Sequence, residues 1–165
     1  MYALLKSINQ NYPNLDLVEG TAFSWSPNTK TITYAPDGKQ KTWSLLHELA
    51  HALLGHSSFE TDFELLLLEV AAWEKAKALA AEHNIEIDEE HIQDCIDTYR
   101  DWLYQRSNCP ACDNTSLQQN SITYRCFNCG TAWTVTASRF CRPYRRTTKQ
   151  KTSSEAPKNL QTTFL

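Results

Sequence analysis

Three observations predict an α+β fold built from two modules. Two short β-prone runs near the N-terminus precede three long stretches of helical periodicity. After Arg106 that periodicity stops, and two Cys-x-x-Cys pairs appear among further β-prone runs. Charge divides at the same place. Residues 1–104 hold seven Lys/Arg against seventeen Asp/Glu (net −10), and residues 105–165 hold nine against two (net +7), within a total of −3. The expected organisation is therefore a mainly helical domain over 1–104, a small β ribbon over 105–146 and a disordered basic and polar tail over 147–165.

The elements follow in order. Residues 2–10 predict a short helix with Tyr2, Leu4, Leu5 and Ile8 on one side. Thr21–Trp25 and Thr29–Tyr34 read as strands, joined by Ser26-Pro27-Asn28 and closed by Pro36-Asp37-Gly38, both turn-forming compositions. A helix is expected from Thr42 to Leu54, with Thr42 as N-cap and Gly55 as C-cap. A longer one spans Thr61–His83. A third spans Asp88–Gln105, its first turn acidic at Glu89 and Glu90. Ser121–Arg125 and Thr131–Thr136 are the expected ribbon strands.

Composition excludes several classes. Only four glycines occur, and no two stand close enough for a dinucleotide fingerprint or a P-loop. No apolar run reaches membrane-spanning length, since Leu65–Leu68 is broken at Glu69. The N-terminus MYALLKSINQ lacks a basic lead and a long apolar stretch, so no secretion signal is expected. Together these predict a soluble cytoplasmic chain without membrane association.

Two motifs carry chemistry. His47-Glu48-Leu49-Ala50-His51 is an HExxH pattern, which puts both imidazoles on one helix face with Glu48 beside them. A catalytic zinc site needs a third protein ligand and an open fourth position. His56 and Glu69 compete for that role. The HExxHxxGxxH register fails, because Leu54 and Ser57 stand where glycine and histidine are required. Glu69 sits on the next helix among Leu65, Leu66, Ala72, Trp73 and Ala76, an apolar stripe in which an uncompensated carboxylate is very costly. A buried cation could also pair with it.

The second motif is Cys109-Pro-Ala-Cys112 with Cys126-Phe-Asn-Cys129-Gly130, two knuckles suited to a tetrahedral structural zinc. Cys95 and Cys141 are read as bystanders. Around the knuckles, Arg142, Arg145, Arg146 and other cations interleave with Tyr124, Phe127, Trp133, Phe140 and Tyr144. This pattern suits phosphate contact and base stacking by DNA or RNA, with Arg142, Tyr144, Arg145 and Arg146 as the candidate contacts. The competing expectation is that the +7 segment docks on the −10 domain.

HELAHALLGH followed by a helix bearing Glu-Val-Ala-Ala resembles the gluzincin arrangement, and within it the small ImmA/IrrE-type metallopeptidases of phages and mobile elements. The resemblance covers roughly residues 20–85. It implies a zincin-like fold with a small sheet beside the active-site helix, whose edge strand holds an extended peptide. It implies His47, His51 and Glu69 as ligands of a catalytic zinc and Glu48 as general base for hydrolysis of a protein or peptide substrate. Tyr34, His56, His83 and Tyr99 are candidate oxyanion donors. Two alternatives stand beside this reading. One is a SprT-like protease acting on DNA-associated protein, which also joins HExxH to a zinc ribbon but expects an HGxxW-like segment absent here. The other is a non-catalytic zinc-binding regulatory module.

Overall fold

The computed structural model describes residues 1–37, 40–136 and 144–148. These form an α+β fold of four helices and two small sheets. The chain opens with α1 (Tyr2–Asn11), then β1 (Asp16–Glu19), β2 (Ser24–Ser26) and β3 (Thr31–Tyr34). Three helices follow, α2 (Lys41–Leu54), α3 (Asp62–Glu82) and α4 (Glu89–Ser107). The last part is β4 (Leu117–Asn120), β5 (Thr123–Arg125), β6 (Ala132–Val135) and β7 (Arg145–Thr147). No helix among the described residues is long and apolar enough to cross a membrane.

The first sheet has the order β1-β3-β2, with β1 parallel and β2 antiparallel to the central β3. Its β1 is not predicted by the sequence pattern. The run Asp-Leu-Val-Glu has no apolar alternation to announce it, and it is largely exposed. It pairs because its register puts Leu17 opposite Ile32. Ile32 is fully buried and turns toward α2, which packs against both β2 and β3.

Helix boundaries follow their caps. Thr61 Oγ1 accepts the Glu64 N–H at 3.1 Å to start α3, and Asp88 Oδ1 accepts the Glu90 N–H at 3.0 Å to start α4. The expected Thr42 cap is a correction: α2 begins at Lys41 behind Gln40, with no side-chain cap. Gly55 closes α2 in the left-handed region, at φ 70°. The helix pair α2/α3 forms the centre of the core. Ala50, Ala72 and Ala76 are fully buried where the helices meet, and Leu45, Leu46, Leu49 and Leu79 fill the space around them.

The second sheet is antiparallel throughout, in the order β4-β5-β6-β7. The expected ribbon strands are β5 and β6, and β4 and β7 flank them. Thr147 belongs to β7, and Thr148 donates its N–H to Ala132 O at 3.0 Å. The start of the expected tail is thus part of the sheet, whereas residues 149–165 lie outside the described residues. The boundary expected after residue 104 falls inside α4, which runs on to Ser107.

That continuation matters for how the ribbon is held. Arg106, fully buried, donates from Nε to Asp62 Oδ2 at 2.5 Å and from Nη2 to Asp62 Oδ1 at 3.0 Å. Its Nη1 donates to the carbonyl of Thr136, and Tyr124 Oη donates to Asp62. Trp133 Nε1 donates to Arg106 O at 2.9 Å, and the Asp62 N–H reaches Gln118 Oε1 at 2.8 Å. The two residues of a bidentate ion pair between the start of α3 and the end of α4 therefore bond four ribbon residues, Gln118, Tyr124, Trp133 and Thr136. Nothing in the sequence marks Asp62 apart from the acidic first turn to which it belongs.

Candidate metal centre

The geometry begins with helix periodicity. His47 and His51 lie one turn apart on α2, and α3 crosses beside them with Glu69 facing the same point. His47 Nε2 lies 3.2 Å from Glu69 Oε2, His51 Nε2 lies 3.1 Å from His47 Nε2, and His51 Nε2 lies 3.6 Å from Glu69 Oε2. A small tetrahedral cation with ligands at about 2.0–2.1 Å separates its donor atoms by roughly 3.3 Å. The observed spacing fits such an ion. Two imidazole lone pairs and a carboxylate converging in a buried place repel one another unless protons or a cation lie between them.

One of the three donors, His47, is held from behind. The His47 ring stacks on Trp73 with centroids 4.2 Å apart, and Trp73 meets His91 edge-on at 5.5 Å. Trp73 stands one turn beyond Glu69, so one face of α3 supplies both a donor and the wall behind another. Burial alone would raise the Glu69 pKa, but hydrogen bonds from His47 and His51 outweigh it and hold the group at about 2. Glu69 is therefore a carboxylate at neutral pH.

Glu48 does not face the three donors as a ligand. It is half-buried beside them, and burial pushes its pKa up against the lowering influence of His47 and His51. A backbone N–H from Trp25, on the edge strand β2, hydrogen-bonds to it. A cleft of about 340 Å³ opens beside the centre, with Trp25, Phe59, Leu65 and Leu68 as apolar walls and His51 and Glu69 at its floor.

His56 is not among the converging donors. Its Nδ1 lies 2.9 Å from Nδ1 of His51, on the side of that ring away from Glu69. Burial, and then the His51 charge, push its pKa down. Of the other oxyanion candidates, His83 caps the far end of α3, about 21 Å along the axis from Glu69. Tyr34 lines a different cleft, against α1.

The four ribbon cysteines form a second group. Cys109 Sγ lies 3.6 Å from Cys129 Sγ, and Cys112 Sγ lies 3.5 Å from both Cys126 and Cys129. These separations are far too long for disulfides and close to the roughly 3.8 Å edge of a tetrahedral thiolate site. The turns match: Asp113 N donates to Cys109 O and Gly130 N to Cys126 O, each at 3.0 Å, and both residues have positive φ. The Cys129 backbone N–H and then the Ser116 hydroxyl pull the Cys126 thiol down to about 6, while burial pushes Cys109 up to about 11.

The proposed nucleic-acid contacts fare unevenly. Arg145 and Arg146 are exposed on β7 and Tyr144 is exposed just before it, although Arg145 Nη1 donates to Asn108 O at 2.6 Å. Arg142, Phe140 and Cys141 lie outside the described residues. Two of the aromatics expected to be available are not. Tyr124 and Trp133 are fully buried and stack with centroids 5.6 Å apart, because they form the core of the ribbon. Phe127 and Tyr144 are exposed. Among the described residues, the ribbon is fastened to the acidic domain through the buried Asp62–Arg106 pair, and Arg106 is itself one of the cations of the basic 105–165 segment.

Among features the sequence did not reveal, Trp73 and Trp25 matter most. Each was visible only as an apolar residue, and only the packing shows that one backs His47 and the other reaches Glu48 through its backbone. No family model matches the chain. Searches of curated proteins and of solved structures returned no match either.

Proposed function

We propose that the chain is a zinc-dependent metallopeptidase of the HExxH type, with His47, His51 and Glu69 as ligands and Glu48 as general base. The observation that carries this reading is the convergence of those three donors within 3.1–3.6 Å, with the half-buried Glu48 adjacent. Zinc bound there supplies a Lewis acid for the scissile carbonyl and makes water acidic enough to be deprotonated near neutrality. Glu48 is suited to take that proton, because burial has already raised its affinity for one, and to hand it to the leaving amine. Edge strand β2 runs beside the open cleft, whose walls are largely apolar. The ribbon cysteines hold a second, structural zinc. Hydrolysis of a peptide library by the zinc-loaded chain, compared with Glu48→Gln, tests the reading.

A second element of the proposal is contact between the ribbon and DNA or RNA. The exposed Arg145 and Arg146 on the outer strand β7, with exposed Tyr144 just before it, favour it. Binding should weaken steeply with salt, and replacing Arg145 and Arg146 by Ala should reduce the slope of log K against log salt by about two. No binding by filter retention at either low or moderate salt would remove this element and leave the peptidase reading intact.

A further inference from the structure

Beyond the ligands, the way α2 ends places one more residue at the centre. Gly55 adopts φ 70°, and an added Cβ there would meet nothing within 4 Å, so the requirement is for a left-handed backbone rather than for space. The His56 N–H then returns to His51 O at 3.1 Å and the Gly55 N–H to Ala52 O at 3.2 Å. This is the hydrogen-bond pattern by which a helix terminus folds the following residue back over its last turn. Here the residue folded back is a histidine. Its ring meets the His51 ring edge-on with centroids 4.9 Å apart, and the Nδ1 atoms stand 2.9 Å apart. Trp25 Nε1 donates to His56 O at 2.9 Å, which ties this turn to strand β2.

Two imidazole nitrogens at 2.9 Å share one proton: one must donate and the other accept. His51 can offer a lone pair from Nε2 to a cation only if its own proton sits on Nδ1. The contact then has a single arrangement, in which His51 Nδ1–H donates to His56 Nδ1 and the His56 proton resides on Nε2. We propose that His56 is a positioning residue, which fixes His51 in the tautomer and orientation that presents Nε2 to the metal by accepting a hydrogen bond from His51 Nδ1. This inference rests on the metal-site part of the proposed function but not on peptide hydrolysis. It also explains how His56 belongs to the centre without being a ligand. His47 has no such partner on its Nδ1 among the described residues and is held by stacking on Trp73 instead.

The test is zinc affinity by chelator competition on the full chain, for wild type, His56→Ala and His56→Asn. Asparagine places an amide oxygen near the former Nδ1 and can accept the same hydrogen bond. The expected result is a loss of about 10- to 100-fold for His56→Ala and near wild-type affinity for His56→Asn. The ribbon ion should stay bound in both, which reports that the chain is folded. In ¹⁵N-histidine spectra of the loaded wild type, His51 should carry its proton on Nδ1. With cobalt as the probe, the visible absorption of the His47/His51/Glu69 centre should keep its shape in His56→Ala. Affinity within twofold of wild type in His56→Ala, or equal losses in Ala and Asn, would overturn the proposal. So would a changed cobalt spectrum, which would make His56 a ligand. Zinc affinities that follow the expected order in a chain that cleaves no peptide would sink the peptidase reading and leave this one standing.

Discussion

Glu48→Gln should abolish peptide hydrolysis, lowering kcat/KM by about 10²- to 10⁴-fold, while zinc content stays unchanged. The amide keeps the shape of the side chain but cannot take a proton from water. It lies beside the three converging donor groups rather than among them, so their geometry survives. The same substitution should stabilise the metal-free chain at neutral pH. Burial raises the Glu48 pKa, so the folded state holds its proton more tightly than the unfolded chain does. Such a group contributes stability that is present below its ordinary value of 4.5 and is lost as pH rises through the raised value. Gln escapes that loss. The difference in Tm between the two proteins should therefore be positive at pH 7 and shrink toward zero below about pH 4. A Glu48→Gln protein that hydrolyses peptide at the wild-type rate would remove Glu48 from the mechanism. One that is less stable than wild type at pH 7 would show that its burial is not a cost.

The second large effect lies where the ribbon joins the helices. Arg106→Ala should destabilise the metal-loaded chain by about 3–5 kcal/mol, because it strands the buried Asp62 carboxylate without its cation. Asp62→Ala should do comparable damage, removing the acceptor for both Arg106 and Tyr124. Because the two residues act as one unit, the double substitution should cost much less than the two single losses added. Urea unfolding of the four proteins measures this. A single-mutant loss below about 1 kcal/mol, or simple additivity, would contradict it. The placement of Asp62 gives the pair a wider role. It lies seven residues, two turns, before Glu69 on one face of α3, and both are buried. The ribbon thus holds the end of the helix that delivers Glu69 to the two histidines.

How much of this was legible beforehand depended on the range of the interaction. The HExxH pair and the two cysteine knuckles were legible because helix and turn geometry bring near neighbours together without help from the rest of the chain. Glu69 was legible at longer range, since an acid inside an apolar stripe asks for a partner. The expected β ribbon was legible in its central strands, where Tyr124 and Trp133 alternate inward. Their burial, however, is what withdraws them from the surface proposed for nucleic acid. Strand β1 was hidden because an exposed Asp-Leu-Val-Glu pairs through backbone hydrogen bonds, which composition does not record. Asp62 and Arg106 were hidden for a related reason. Residues 44 positions apart become partners only when α3 and α4 pack, and singly each looks like an ordinary charge at a helix end. His56 fell between these cases, since its spacing from His51 was plain but its direction depends on the left-handed turn at Gly55.

Two separate groups, His47/His51/Glu69 and Cys109/Cys112/Cys126/Cys129, each bring their donor atoms close enough for one metal ion, and the proposed function puts zinc in both. Metal analysis of purified wild type beside His47→Ala and Cys126→Ser tests it most directly. Two zinc ions per chain are expected in wild type, and one in each variant. The ion kept by His47→Ala should be bound by thiolates, and the ion kept by Cys126→Ser should be bound by nitrogen and oxygen. A single ion in the wild type, or no loss in His47→Ala, would contradict it.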